Sequence, residues 1–234
     1  IEDPIEYRVV GVNQMQVNPK IGLTFAIGLR ALLRQDPNVI MIGEIRDLET
    51  SEEAVHAAMT GHIVLSTLHT NSAAGAIPRL LDMGIEPYLI ASTLNTIIGQ
   101  RLVRKICEHC KKSVPLDEKT AKSLSHDFDL ESLLEVMKRE EVIEKKVKKI
   151  EDVEFFEGEG CEKCGRTGYK GRMGIYEALD VTAEIAKQVM SHATTAQIQS
   201  QAVSEGVVLM WEDGFIKAHL GLTTIFEVLR VSKE

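Results

Sequence analysis

The four cysteines of the chain, Cys107, Cys110, Cys161 and Cys164, form two C-x-x-C pairs with no odd cysteine left over. Thiolates at that spacing can both reach one ion. Two such pairs complete a closed tetrahedral set of four thiolates, the arrangement of a structural Zn²⁺ site with no position open for catalysis. Inert buried thiols and two redox pairs are the alternatives. Cys110 and Cys161 lie 51 positions apart, well beyond the roughly 15 to 20 of an ordinary ribbon, and the segment between them contains a helix candidate at Leu130 to Lys149.

A second set of residues is acidic and polar: Glu2-Asp3-Pro4-Ile5-Glu6, then Gly43-Glu44-Ile45-Arg46-Asp47, then Thr67-Leu68-His69-Thr70. Each lies at the end of a predicted strand or in the turn that follows. In an open α/β sheet ligands bind at the carboxyl ends of strands, so the three segments are expected to converge on one crevice. Nucleotide hydrolysis needs such a place. A carboxylate at a buried strand end can hold a water of hydrated Mg²⁺ while a second orients the attacking water, and Glu44 suits the first role, Glu6 the second. Taken singly, each segment is equally compatible with a surface role. The same holds for the histidines: a His beside an apolar strand is usually a hydrogen-bonded structural residue. Nothing is assigned to His56, His109, His126, His192 or His219, although His109 sits between two cysteines.

The elements that must position these groups alternate. Thr24 to Leu33 reads as a helix with Thr24 as N-cap, and Val39 to Ile42 as a short β-branched strand buried in a parallel sheet. Ser51 to Met59 reads as a helix with Ser51 as N-cap and Glu52 and Glu53 in its first turn, His62 to Thr67 as a second buried strand, and Asn71 to Met83 as a helix. The first hundred residues are therefore α/β. Polar sequence follows the first cysteine pair, with mixed charge at Lys138 to Lys149 that reads as a solvated helix face. The second pair sits in a glycine-punctuated turn region, Gly158 to Gly174, and helices are expected at Ala183 to Met190, Thr195 to Val203 and Leu209 to His219.

The 44% hydrophobic content of 234 residues supplies a real core. No apolar run approaches the roughly 20 residues of a membrane span. A net charge of −8 gives no electrostatic reason to expect nucleic acid as partner. Disulfides would need an oxidising compartment, so a reducing cytoplasm is expected. The start at Ile1-Glu2-Asp3-Pro4, without Met or export signal, reads as a cut end.

Taken together, Glu-Asp-Pro-Ile-Glu-Tyr (2–7), Leu-Arg-Gln-Asp-Pro-Asn-Val-Ile-Met-Ile-Gly-Glu-Ile-Arg-Asp (33–47) and Thr-Gly-His-Ile-Val-Leu-Ser-Thr-Leu-His-Thr-Asn (60–71) resemble, in order, the Asp, Walker B and His boxes of secretion-superfamily motor ATPases. Gln100 to Arg104, the paired C-x-x-C, Gly171 to Glu177 and Thr223 to Arg230 are similar to further segments of the type II secretion and type IV pilus assembly branch. The resemblance implies a RecA-like ATPase core, mostly parallel sheet with flanking helices, over 1–106. It also implies a tetracysteine zinc-binding domain with a long insertion over 107–176, and a C-terminal helical domain over 177–234. It implies Glu6 as water activator, Glu44 as the glutamate near Mg²⁺ and His62 as the His-box residue near the γ-phosphate of ATP, with Glu2, Asp3, Arg46 and His69 in the same boxes.

No Gly-x-x-x-x-Gly-Lys-Ser/Thr loop (Walker A) occurs in the chain, so the stretch alone is expected to bind ATP poorly and hydrolyse it negligibly. The resemblance further implies a homo-hexamer of the complete protein. It would sit at the inner face of the cytoplasmic membrane through an inner-membrane platform protein and cytoplasmic scaffold proteins. The tetracysteine element points away from retraction motors. Pilus assembly, type II secretion and DNA uptake are not separated. A zinc-dependent module docking on the platform protein, and a zinc-ribbon nucleic-acid binder, are the competing readings.

Overall fold

The computed structural model describes residues 1–232. In chain order the elements are α1 (Phe25–Leu33), β1 (Val39–Ile42), α2 (Leu48–Met59), β2 (Ile63–Ser66), α3 (Ala73–Asp82), α4 (Pro87–Thr93), β3 (Thr96–Ile106) and β4 (Lys111–Pro115). They continue with α5 (Glu118–Leu124), α6 (Leu130–Arg139), β5 (Glu154–Gly158), β6 (Tyr169–Asp180), α7 (Ala183–Met190), α8 (Thr195–Ser204), α9 (Met210–His219) and α10 (Ile225–Ser232). Two compact units result, 1–97 with 179–204 and 98–178 with 205–234.

In the first unit Thr24 caps α1 as expected, its hydroxyl accepting from the Ile27 N–H. α2 begins earlier than expected. Asp47, not Ser51, is the cap, with its carboxylate 2.8 Å from Thr50 N. Ser51 instead sits inside the first turn, buried, its hydroxyl donating to the Asp47 carbonyl. A charged acceptor at the mouth of the helix outcompetes a hydroxyl one turn later. β1 and β2 pair in parallel, Val39 opposite Ile63 and Ile42 opposite Ser66. Ile1 and Glu2 run along the other side of β1, the Ile1 carbonyl accepting from Gly43 N at 2.7 Å.

Strand alternation buries Ile40 and Ile42 against Leu29, Ala54 and Ala57. Val39, Met41, Ile63 and Leu65 point the other way, each more than half exposed. The expectation of strands buried on both faces is met on one face only. The unbroken β-branched run looks the same whether one face or two are covered.

Mostly parallel sheet was expected over 1–106; β1 and β2 are parallel, whereas β3, which ends that span, and the strands of the second unit are antiparallel. β4 pairs antiparallel with β5, Lys111 opposite Gly158. β3 pairs with β6 and runs against it, since Thr96 meets Asp180 at one end and Cys107 N meets the Gly168 carbonyl at the other. The glycines of 158–174 therefore end one strand and begin another.

The long insertion between the cysteine pairs is folded. Leu133, Met137, Ile150 and Phe155 bury with Phe215 and Val228, and Phe128 packs on Trp211 at 5.1 Å between ring centroids. α6 stops at Arg139, ten residues before the expected end. Glu141 adopts φ 56°, Val142 N donates to the Met137 carbonyl and Glu141 N to the Lys138 carbonyl, the paired bonds of a Schellman stop. Val142, Ile143 and Val147 then turn back onto the core, which a straight helix would have spread around its circumference.

Helices are present in the C-terminal stretch 177–234. α7 and α8 belong to the first unit, α9 and α10 to the second. Among the described residues no helix is long and apolar enough to cross a membrane.

Candidate functional site

Glu44 stands just beyond the carboxyl end of β1, where Gly43 lets the chain pass Ile1 and Glu2 closely: a Cβ there would lie 3.2 Å from the Ile1 carbonyl oxygen. Thr67, at the matching end of β2, fixes the turn from the other side. Its hydroxyl donates to the Gly43 carbonyl at 2.6 Å and its carbonyl accepts from Ile45 N at 3.0 Å. The Glu44 side chain is mostly covered. Arg46 donates to it through Nε and Nη2, each at 2.5 Å, and His69 Nε2 lies 3.0 Å from its Oε2. Hydrogen bonding from Arg46 holds the carboxyl below the usual range against its partial burial, with His69 adding to the effect. Conversely the Arg46 guanidinium is pushed up, by Glu44 first and also by the charge of Asp3.

This end of the sheet thus gathers Glu44, Arg46, His69 and, through its charge, Asp3. Glu2 lies beside it, bridged in parallel to Gln16, with its carboxylate accepting from Gln14 Nε2 at 2.8 Å. Glu6 is exposed in the loop beyond Pro4. His62 is not part of the group. It precedes β2, at the opposite end of the strand from Thr67, and its Nδ1 is engaged locally with the Ala57 carbonyl (2.9 Å) and the Thr60 hydroxyl (3.0 Å). Two histidines flanking one short strand are indistinguishable by composition. Strand direction separates them, and parallel pairing places His69, not His62, beside Glu44. Thr67 was expected at this crevice only as part of the segment 67–70; its role in tying the turn to β2 comes from the structure. Oxygen donors from carboxylates at a strand end fit a hydrated Mg²⁺ chemically.

The four cysteines meet in the second unit. Their sulfurs lie within 4.8 Å of one another, with Cys161–Cys164 at 3.8 Å and Cys107–Cys161 and Cys110–Cys164 at 3.9 Å. A tetrahedral ion with Zn–S bonds of about 2.3 Å requires sulfur separations of about 3.8 Å, so the tetrad fits zinc. The second knuckle turns through Gly165 and Arg166, both at φ near +60°. Its backbone aims N–H groups at sulfur, Cys161 N at 3.2 Å and Gly168 N at 3.3 Å from Cys164 Sγ. These draw the Cys164 thiol down to about 6, the Cys161 N–H foremost, whereas desolvation pushes Cys110 up to about 12. His109 is exposed, 3.5 Å from Lys163 Nζ, and outside the tetrad.

Comparison with known proteins matches residues 1–230 to the family described as Type II/IV secretion system protein. The Type IV pilus assembly ATPase PilB of Thermus thermophilus is 47% identical over 229 residues, 98% of this chain and 24% of that protein. The Type II secretion system ATPase E of Vibrio cholerae is 44% identical over 234 residues, 100% of this chain and 42% of that protein. This chain therefore spans less than half of these relatives. Among solved structures, the pilus retraction motor PilT with bound ADP superposes with a TM-score of 0.63 at 27% identity, covering all of this chain and 51% of that one. The Legionella pneumophila ATPase DotB, at 21% identity and a TM-score of 0.60, shares the fold.

Proposed function

The chain belongs to the Type II/IV secretion system protein family, and from that premise we propose that it is part of a motor ATPase powering type IV pilus assembly or type II secretion. The observation that carries the reading is Glu44 at the carboxyl end of β1, joined there by His69 from the end of β2. The reaction is ATP and water to ADP and phosphate. With Mg-ATP bound, Glu44 would hold a water of Mg²⁺, Glu6 would orient the attacking water, and His69, beside Glu44, would fill the place near the γ-phosphate that the resemblance implied for His62. Glu2, Asp3 and Arg46 line the same crevice.

Mg²⁺ would supply charge neutralisation on the phosphates, and the carboxylates here would position its waters. The tetracysteine fit to zinc and identities of 44–47% to relatives named for assembly and secretion, against 27% to a retraction motor, support the assembly or secretion branch. In the complete protein the motor is a homo-hexamer held at the cytoplasmic face of the inner membrane by a platform protein and cytoplasmic scaffold proteins.

The sequence contains no Gly-x-x-x-x-Gly-Lys-Ser/Thr loop, so this stretch by itself lacks the cradle that captures phosphates. Calorimetric titration of Mg-ATP into the chain, with zinc content measured on the same sample, tests the assignment. Absence of binding, with one zinc per chain, is the expected result. Binding tighter than about 100 μM, which is roughly 5.5 kcal/mol, would mean that the phosphates find another cradle.

A further inference from the structure

Both oxygens of the Glu44 carboxylate are already taken. Arg46 Nε donates to Oε2 and Nη2 to Oε1, each at 2.5 Å, and His69 Nε2 adds a third contact to Oε2. This is a forked guanidinium–carboxylate pair between residues two apart on one turn, the strongest hydrogen-bonding arrangement a carboxylate makes with a side chain. A divalent cation brought to the same oxygens, directly or through its waters, would face a fixed positive charge across the carboxylate. Arginine cannot relieve that conflict by losing its proton. One partner has to move.

The surroundings decide which. Thr67 ties the turn to β2 at the Gly43 carbonyl and at Ile45 N, so the backbone around Glu44 is held on both sides. The Glu44 side chain is 14% exposed and the Arg46 side chain 59%. Arg46 therefore has open space to swing into and Glu44 does not. A second acceptor stands close by: Asp3 is exposed, takes part in no hydrogen bond among the described residues, and its charge already acts on Arg46.

We propose that Arg46 is a resident counter-ion of the candidate hydrolytic site, capping Glu44 in the metal-free state and releasing it, by turning towards Asp3, when a hydrated divalent cation arrives. Arg46 is a positioning residue in this account. It keeps the carboxylate ionised and aimed, and it makes metal capture conditional on a side-chain movement. The net charge of Glu44, Asp3 and Arg46 is the same before and after the turn; what changes is its placement, since Arg46 on Glu44 opposes a cation at the same oxygens and Arg46 on Asp3 does not.

The inference rests on the reading of Glu44 as the residue near Mg²⁺, and the experiment separates the two. Mn²⁺ alone is titrated into the zinc-loaded chain labelled with ¹³C-histidine, and paramagnetic broadening of the His69 ring signal is followed. Arg46→Gln should lower the Mn²⁺ concentration for half-broadening by about three- to fivefold. Arg46→Lys, which can cap only one oxygen at a time, should move it the same way by less, and carries the test if the glutamine variant does not fold. Glu44→Gln should abolish the broadening in either background. If both Arg46 variants titrate like the unmodified chain, or more weakly, while Glu44→Gln still abolishes the effect, the counter-ion role is wrong and the metal reading stands. If Glu44→Gln leaves the broadening unchanged, the metal reading fails and the inference with it.

Discussion

Glu227 has no exposed surface, yet it carries a charge that four N–H donors share. Arg104 reaches it through Nη2 at 2.6 Å and through its backbone N–H at 2.8 Å, and Arg230 donates from the next helical turn at 3.1 Å. Burial pushes this carboxyl up, but the hydrogen bonds of Arg104 and Arg230 outweigh it and leave the group at about 2. A carboxylate depressed on folding contributes stability that is fully present above its unfolded pKa, roughly 4.3, and is lost as pH falls towards about 2. Glu227→Gln should therefore cost about 2 to 4 kcal/mol at neutral pH, nearer the lower figure because both arginines reach solvent. The gap in unfolding midpoint between the two proteins should close as pH is lowered from 5 towards 2. A gap independent of pH would show that packing, not the ion network, sets the cost. In the sequence this glutamate was one letter in a segment similar to a family, and nothing in its spacing marked it as buried. Arg230 lies one turn along the same helix, but only the placement of α10 beside β3 brings Arg104 to it.

Among the elements, α6 shows how a local signal can be overruled. Residues 138–149 alternate in charge at helical spacing, which predicts a continued solvated helix. The structure ends the helix with Glu141 in the left-handed region, because Val142, Ile143 and Val147 gain more by folding back onto Leu133 and Met137 than they would along a helix surface. A side chain at positive φ carries a conformational cost that glycine does not. Glu141→Gly should thus stabilise the chain by about 0.5 to 1 kcal/mol, raising the unfolding midpoint without changing zinc content. A lower midpoint would mean that the Schellman stop is not under strain. Elsewhere local signals sufficed. Thr24 capped its helix as read, and Ala183 to Met190 was recovered to the residue. α4 was passed over because seven residues starting at Pro87 offer too short a period to recognise.

Over its full length the chain visits the first unit, leaves it at Ile97, builds the second, which carries the cysteine tetrad, and returns at Leu179 for two helices. The single tryptophan, Trp211, lies in the second unit against Phe128 and Phe215, and so reports on the unit that carries the tetrad. Removing zinc with a chelator should destabilise that unit by several kcal/mol, seen as an earlier unfolding transition in Trp211 fluorescence, and Cys164→Ser should reproduce it. An unchanged transition would mean that the tetrad closes without metal.

The tetracysteine set, the α/β character of the first hundred residues and the acidic strand-end segments were all legible before any folding was known, because each rests on spacing along the chain. Folding in three dimensions was needed to bring His69 rather than His62 to Glu44, to put Arg46 on both oxygens of that carboxylate, and to divide the last helices between two units. Those outcomes depend on strand direction and on which surfaces meet, and no spacing along the chain encodes either.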